Sequence, residues 1–213
     1  MEEHPTQRPR PRIESLADLV FGLALSIGAI ILVGNPPATP SALENDIITF
    51  AFNFIILISV WLNYTSVTSV LPLENRRTLA LNVAMLFAVS IEPFLFNLLR
   101  VNLSPTSPSF QLFVTTSALY GLDICGMMAI LGIFSLTLAD EEKKLVPKDM
   151  LRKVKLQATN FLISSGFFLV SALPIFDELS VAHTYVRTDL WWGALVVAWA
   201  RRGFFGLGKR RNS

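Results

Sequence analysis

The sequence predicts an all-α polytopic membrane protein with six transmembrane helices and no re-entrant filter loop. Three observations support this fold class. Hydrophobic residues make up 52% of the 213 residues and charged residues only 16%, against roughly a quarter charged in an average soluble domain. The mean hydropathy is +0.52. Apolar runs long enough to cross a bilayer core, about 20 residues each, recur along the chain between proline-containing breaks.

The same composition excludes several other classes. The apolar content is too high for a disordered chain, and one cysteine, Cys125, cannot form a disulfide scaffold. The net charge of +2 gives no reason to expect nucleic acid as a partner. The only histidines are His4 and His183, which leaves little material for a metal site.

The expected spans are separated by residues that end helices. The proline-rich segment 35–40 ends the first span, because proline cannot continue a helix. Leu71-Pro72 ends the second, and the Pro- and Ser-containing segment 104–108 precedes the fourth. The first run is of full span length and carries Asp18 near its start, which favours a retained helix over a cleaved signal peptide. The six spans cover about residues 16–34, 47–70, 78–99, 109–138, 157–175 and 188–207.

The positive charges indicate the orientation of these spans. With the N-terminus inside, every Lys and Arg except Arg100 and Arg187, sixteen of the eighteen, falls in a cytoplasmic segment. Such an asymmetry is what the positive-inside rule requires. We therefore expect a multi-pass protein of the cell membrane with both termini in the cytoplasm.

Three acidic residues lie within spans, where a charge is costly and usually has a role. Asp18 lies in the first turn of span one. Its negative charge is either stabilised by the helix dipole or paired with Arg12. Glu92 precedes Pro93, and we expect it near the outer interface or in a wet vestibule. Asp123 is in the middle of span four and must face protein, water or a polar partner, or be protonated. A structural hydrogen bond and a proton-linked role both remain open for these residues.

Five asparagines lie in or near the spans. Amide side chains between membrane helices act as interhelical hydrogen-bond donors and acceptors, and we expect this role for each of them. They are Asn53, Asn63, Asn82, Asn97 and Asn160.

No pattern of an enzyme is present. The chain has no GxSxG, no HExxH, no Cys/His cluster and no glycine-rich phosphate loop after a strand. It also has no TVGYG loop of the kind that forms a carbonyl-lined potassium filter. We expect neither an enzyme nor a bound cofactor.

The first span has two faces. At 100° per residue, the small residues Ala17, Ala24 and Gly28 lie roughly opposite a large aliphatic face. The small face would let another helix approach closely. The large face either packs against lipid or core, or lines a pore as rings of Leu and Ile that exclude water. This face consists of Leu16, Leu19, Leu23, Ser26, Ile27 and Ile30.

Several motifs resemble those of the transmembrane-protein-175 family of potassium channels. Residues 12–18, RIESLAD, resemble the RxxxFSD signature that opens span one, and residues 19–25 resemble the run GVFAIAI. Trp61-Leu62-Asn63-Tyr64 resembles the WxNH that ends span two. Leu81-Asn82 with residues 89–94, VSIEPF, resembles the LN…VSFLPF of span three, and residues 118–120 resemble the ALY of span four.

The chain departs from this pattern at three positions. Leu16 and Ala17 replace the Phe and Ser of the signature, and Tyr64 replaces the His of WxNH. In the family, the signature Arg and Asp and this His belong to a polar network between the first spans. The resemblance therefore places Arg12, Asp18, Trp61, Tyr64 and Asn82 in such a network, altered by the missing His and Ser.

The resemblance also implies an assembly and a pore. Prokaryotic members carry one six-span repeat and form tetramers, so residues 1–213 are expected to be a single repeat of a prokaryotic member and to form a homotetramer. The family lines its pore with span one. Its hydrophobic constriction would correspond to Leu23, Ile27 and Ile30, with Ser26 as a pore-facing hydroxyl. These positions belong to the large face identified from helical periodicity.

The sequence thus predicts a potassium-permeable cation channel in a lipid bilayer, conducting monovalent cations with modest selectivity. A proton-coupled secondary transporter that uses Asp123 and Glu92 is the alternative, although no internal repeat of the kind common in transporters is visible. A non-conducting membrane scaffold is the third possibility, since packing alone would also explain an aliphatic stripe.

Overall fold

Five long helices dominate the computed structural model, which describes residues 12–34, 37–73, 75–99, 110–176, 180–181, 184–187 and 190–194. The helices are α1 (Arg12–Gly34), α2 (Pro40–Thr68), α3 (Arg76–Leu98), α4 (Phe110–Leu138) and α5 (Lys148–Ser171). A single 3₁₀ turn, Pro174–Phe176, follows α5. Two antiparallel strands of two residues each, β1 (Ser180–Val181) and β2 (Thr184–Tyr185), come next. The predicted all-α fold is confirmed, with this strand pair as an addition that the sequence did not predict.

Four helices of the described part, α1 to α4, are long and apolar enough to cross a membrane. They correspond to the first four predicted spans. The fifth predicted span, 157–175, is the second half of α5, which begins at Lys148 with a charged turn and ends at Ser171. Most of the sixth, 188–207, lies outside the described residues, and only 190–194 are seen as helix.

The start of α2 differs from the prediction. The helix begins at Pro40, about seven residues before the expected position. Thr39 is its N-cap, and the Thr39 hydroxyl oxygen accepts a 3.1 Å hydrogen bond from the Ala42 amide. Proline suits the first helical position because its missing N–H would have no partner there. The cap, rather than the onset of apolar residues, therefore determines where this helix begins.

Helix α4 is at the centre of the bundle and packs against α2, α3 and α5, while α1 packs against α2 and α3. Aromatic rings fill the space around Tyr120 of α4. Its ring lies 5.8 Å from that of Phe96 and 5.1 Å from that of Trp191, measured between centroids. Such tilted aromatic pairs stabilise a core beyond the area they bury.

Helices α4 and α5 approach each other closely at Gly121. A Cβ atom at this position would lie 3.2 Å from the Ser171 hydroxyl oxygen and 3.4 Å from the Phe168 carbonyl oxygen. The backbone carbonyl cannot move without shifting α5. Gly121 is therefore a point where small size sets the distance between two membrane helices.

We expect Gly121→Val to lower the thermal unfolding midpoint of the purified protein. The added side chain overpacks the α4–α5 contact, a change that typically costs about 1–3 kcal/mol. Gly126→Val is the matched control, because it alters the same helix at a position where a Cβ atom would meet nothing within 4 Å. Equal midpoints for the two variants would contradict the close approach.

Candidate functional site

The large face of α1 is uncovered in the single chain. Leu23, Ile27 and Ile30 expose 61%, 36% and 64% of their surface, and Leu16 and Leu19 are exposed as well. The Ser26 hydroxyl lies on the same face and donates a 2.8 Å hydrogen bond to the Gly22 carbonyl. Its oxygen keeps lone pairs that can accept a hydrogen bond from outside the helix.

The opposite face of α1 is packed inside the bundle. Ala17, Phe21 and Ala24 are buried, in agreement with the predicted small face. Gly28 faces α2, where a Cβ atom would lie 3.5 Å from the Asn53 amide nitrogen and from the Phe50 ring. These are ordinary contact distances, so this position has room for alanine. The helix is thus held on one side only.

Part of the predicted polar network is present between α1 and α2. The Trp61 indole N–H donates a 3.1 Å hydrogen bond to Asp18 Oδ1. The expected partner of Asp18, the Arg12 side chain, lies outside the described part of the structure. Asp18 therefore has an interhelical role, and it fixes the indole at the end of α2 against the start of α1.

A second link joins α2 to α3. The Tyr64 hydroxyl donates a 2.5 Å hydrogen bond to Asn82 Oδ1, and both side chains are buried. The Tyr64 ring also packs against Phe21 of α1, with centroids 5.5 Å apart. Tyr64 thus provides a hydrogen bond at the position where the resemblance places histidine. Through its hydroxyl and its ring it connects α2 to both α3 and α1.

We expect Tyr64→Phe to lower the free energy of unfolding by about 1–3 kcal/mol, the usual cost of leaving a buried polar group unpaired. The Asn82 amide nitrogen has no partner among the described residues, and the variant would leave its oxygen unpaired too. A double-mutant cycle with Asn82→Ala, measured by thermal unfolding, isolates the link. Strictly additive effects of the two changes would contradict it.

Glu92 does not face an open vestibule, which corrects one of the two expectations for this residue, because its side chain is fully buried between helices. Its position near the outer interface stays a prediction. Asn53 of α2, oriented with its amide nitrogen toward α3, donates to both Glu92 carboxylate oxygens. Helix α3 runs through Pro93 to Leu98, as the expected span 78–99 did. The side chain of Glu92 is buried because groups of α2 and α4 meet it there.

Asp123 lies on α4 in the same region. It is half-buried, and its Oδ2 atom is buried without a hydrogen-bond partner among the described residues. Tyr120, one turn earlier on α4, is fully buried and faces Glu92. Here the structure brings together the two acidic residues that the sequence singled out, which were 31 positions apart in the chain.

Three of the five predicted asparagines do link elements. Besides Asn53 and Asn82, Asn63 of α2 accepts a 3.4 Å hydrogen bond from the Gln157 side chain of α5. Among the described residues, no group of three or more His, Cys, Asp or Glu side chains is placed to hold a metal ion.

Arg187, which the sequence indicates only as a positive charge of an outer segment, links α4 to the end of α5. It is buried. Its Nε donates to the Ser171 carbonyl at 2.7 Å, and its Nη1 donates to Ser117 Oγ at 2.6 Å and to the Val114 carbonyl at 3.1 Å. Its Nη2 donates to the Leu173 carbonyl at 3.2 Å. The guanidinium thus satisfies carbonyls at the end of α5 and ties them to α4.

Comparison with known proteins gives two matches of interest. The sequence profile of the family described as "Endosomal/lysosomal potassium channel TMEM175" matches residues 12–93, which include α1, α2 and most of α3. The fold is similar to that of the potassium channel MtTMEM175, solved as a T38A variant in complex with a nanobody–MBP fusion protein. The TM-score is 0.61, and the identity is 17% over 100% of both chains. No curated protein sequence matches the chain.

Proposed function

We propose that this chain is a member of the TMEM175 family, whose sequence profile matches its first three helices, and that it forms a potassium-permeable cation channel. The observation that carries the proposal is the uncovered aliphatic face of α1. One side of this helix is packed against α2 and α3. The other presents large aliphatic residues from Leu16 to Ile30, a stripe of about 21 Å at 1.5 Å per residue.

In the proposed channel, the α1 helices of several subunits surround one axis, and their large faces line the pathway. Leu23, Ile27 and Ile30 form the narrow part. Aliphatic rings offer no oxygen atoms to replace the hydration shell of an ion, so they act as a barrier and a gate rather than as a filter. Conduction is passive, selectivity is modest, and Ser26 is the polar group on this face.

The proposed assembly is a homotetramer of one six-span repeat, residues 1–213, in the cell membrane with both termini in the cytoplasm. A single α1 cannot enclose a pathway, and closed rotational symmetry is the usual way to bring copies of one helix together. The positive-inside asymmetry supports the orientation. No cofactor other than the permeant potassium ion is required.

The experiment that tests this function is potassium flux from liposomes that contain the purified protein, together with its native mass in a mild detergent. We expect flux that follows the electrochemical gradient, stepwise single-channel currents and a mass of four subunits. Saturable flux coupled to a proton gradient would favour a transporter instead. Absence of both flux and currents from a protein that is folded and assembled would favour a scaffold.

A further inference from the structure

A pair of acidic side chains lies in the centre of the bundle at a site that the proposed pathway does not use. Glu92 of α3 is fully buried, and Asp123 of α4 contributes a buried oxygen atom nearby. Both lie on helices that are apolar enough to span a membrane. An ionised carboxylate in such a place is costly unless it is paired or protonated.

None of the described neighbours of Glu92 supplies a positive charge. In the described part of the chain, the groups that act on Glu92 are the Asn53 amide from α2 and the Tyr120 hydroxyl and Asp123 carboxyl from α4. No titratable group of α1, which also packs against α3, is among them. Two ionised carboxylates would therefore repel each other across the α3–α4 contact, where the described residues that act on Glu92 are otherwise neutral.

One buried polar atom at this site, Asp123 Oδ2, has no hydrogen-bond partner among the residues the structure describes. The Tyr120 hydroxyl is completely buried and interacts with Glu92. Buried polar atoms are rarely left unpaired, and each one requires an explanation. A carboxyl group that takes up a proton loses its charge and gains an O–H donor for such an acceptor.

We propose that Glu92 and Asp123 form a proton-binding site in which at least one of the two buried carboxyl groups carries a proton. The Asn53 amide holds Glu92 in place, and the Tyr120 hydroxyl closes the site on the α4 side. The bound proton holds α2, α3 and α4 together, and its loss leaves two negative charges that push α3 away from α4. The proposal does not depend on whether the chain conducts potassium.

The direct test is infrared difference spectroscopy of the protein in lipid nanodiscs between acidic and alkaline buffer. We expect a carbonyl stretching band of a protonated carboxylic acid that disappears at high pH. Glu92→Gln should remove the band, and Asp123→Asn should shift its frequency and its midpoint. The control is Glu142→Gln, which changes an exposed side chain between α4 and α5 and should leave the band intact. A band that is unchanged in both core variants would overturn the proposal.

Thermal unfolding gives a second readout, which remains useful if a variant lacks the infrared band because it folds poorly. If the folded protein binds a proton that the unfolded chain releases, stability is highest at low pH and falls as the pH rises. For one proton the unfolding equilibrium constant should rise about tenfold per pH unit between the pH at which carboxyl groups of the unfolded chain ionise and the pH at which the folded site loses its proton. Glu92→Gln, which mimics the protonated form, should fold and lose this slope.

The same measurement distinguishes a proton from a metal cation. At constant pH, exchange of potassium for a large organic cation should leave the unfolding midpoint unchanged. A potassium-dependent midpoint that Glu92→Gln abolishes would overturn the proposal, because the oxygen atoms of the cluster would then bind the cation. A pH slope that is identical in the parent and in Glu92→Gln would overturn it as well.

Discussion

Leu23→Asn is expected to raise potassium flux from liposomes about tenfold or more, which corresponds to a barrier lower by about 1.4 kcal/mol. In the proposed pore, a ring of Leu23 side chains excludes water because no group there replaces the lost hydration of the ion. Amide side chains would hydrate the ring and provide oxygen atoms for the cation. Selectivity for potassium over sodium should fall at the same time. Leu23→Ala, Ile27→Ala and Ile30→Ala should act in the same direction by widening the pathway.

The matched control is Leu136→Asn on α4, which alters another exposed leucine of a membrane-spanning helix. It should leave flux per assembled protein unchanged, because this face is expected to contact lipid. If the α1 stripe served only for packing, Leu23→Ala would lower stability and leave conduction as it was. If all the α1 variants kept the flux and selectivity of the parent, with flux normalised to the amount of assembled protein, a pore lined by this face would be excluded.

Arg187→Met is expected to cause the largest loss of stability, about 2–5 kcal/mol in the free energy of unfolding. The change removes the donor for three carbonyl oxygens and one hydroxyl in a buried place, and each buried polar group left unpaired costs about 1–3 kcal/mol. The effect is expected to be smaller than the sum, because the costs of groups that share one partner are not additive. The thermal unfolding midpoint and the yield of assembled protein measure it.

Two further variants test whether the directed hydrogen bonds of Arg187 or its charge alone stabilise the fold. Arg187→Lys should recover only part of the stability, because one ammonium group cannot reach acceptors on both α4 and α5 as the planar guanidinium does. Arg152→Met, which removes an exposed arginine of α5, should have little effect. If Arg187→Lys matched the parent, charge alone rather than the directed hydrogen bonds would hold the two helices.

Helical periodicity was sufficient to predict the two faces of α1. Successive side chains turn by 100°, so the separation of Ala17 and Ala24 from Leu23 and Ile30 follows from the sequence alone. The start of α2 was also readable in principle, since Thr39 before Pro40 is an N-cap pattern. Hydropathy missed it because the first turns of this helix are polar and the apolar run begins later.

The position of Glu92 could not be predicted in this way. The expected span 78–99 already included Glu92 and Pro93, and α3 does continue through Pro93. The partners of Glu92, however, come from α2 and α4. Which helices meet at a given depth is a property of tertiary packing, which a single sequence does not reveal.

The partners of Arg187 could not be predicted from the sequence either. For the positive-inside rule, an arginine in an outer segment only adds to the number of positive charges on that side of the membrane. In the described part of the chain, the partners of Arg187 include carbonyls at the end of α5, together with a carbonyl and a hydroxyl of α4. Every residue has a backbone carbonyl group, so the sequence does not indicate which carbonyls Arg187 contacts. These contacts depend on where α5 ends in the folded chain.

The central claim is that α1 helices of several subunits converge on an ion pathway. It is tested most directly by adding Cd²⁺ to block potassium flux through a protein with the two substitutions Cys125→Ser and Leu23→Cys. Thiolates bind soft metal ions, and several of them must converge to hold one tightly. We predict that low concentrations of Cd²⁺ stop potassium flux through this variant, that a chelator restores it, and that the same protein with Leu136→Cys in place of Leu23→Cys is not blocked. Flux through the Leu23→Cys protein that is as insensitive to Cd²⁺ as flux through the Leu136→Cys protein would contradict the account.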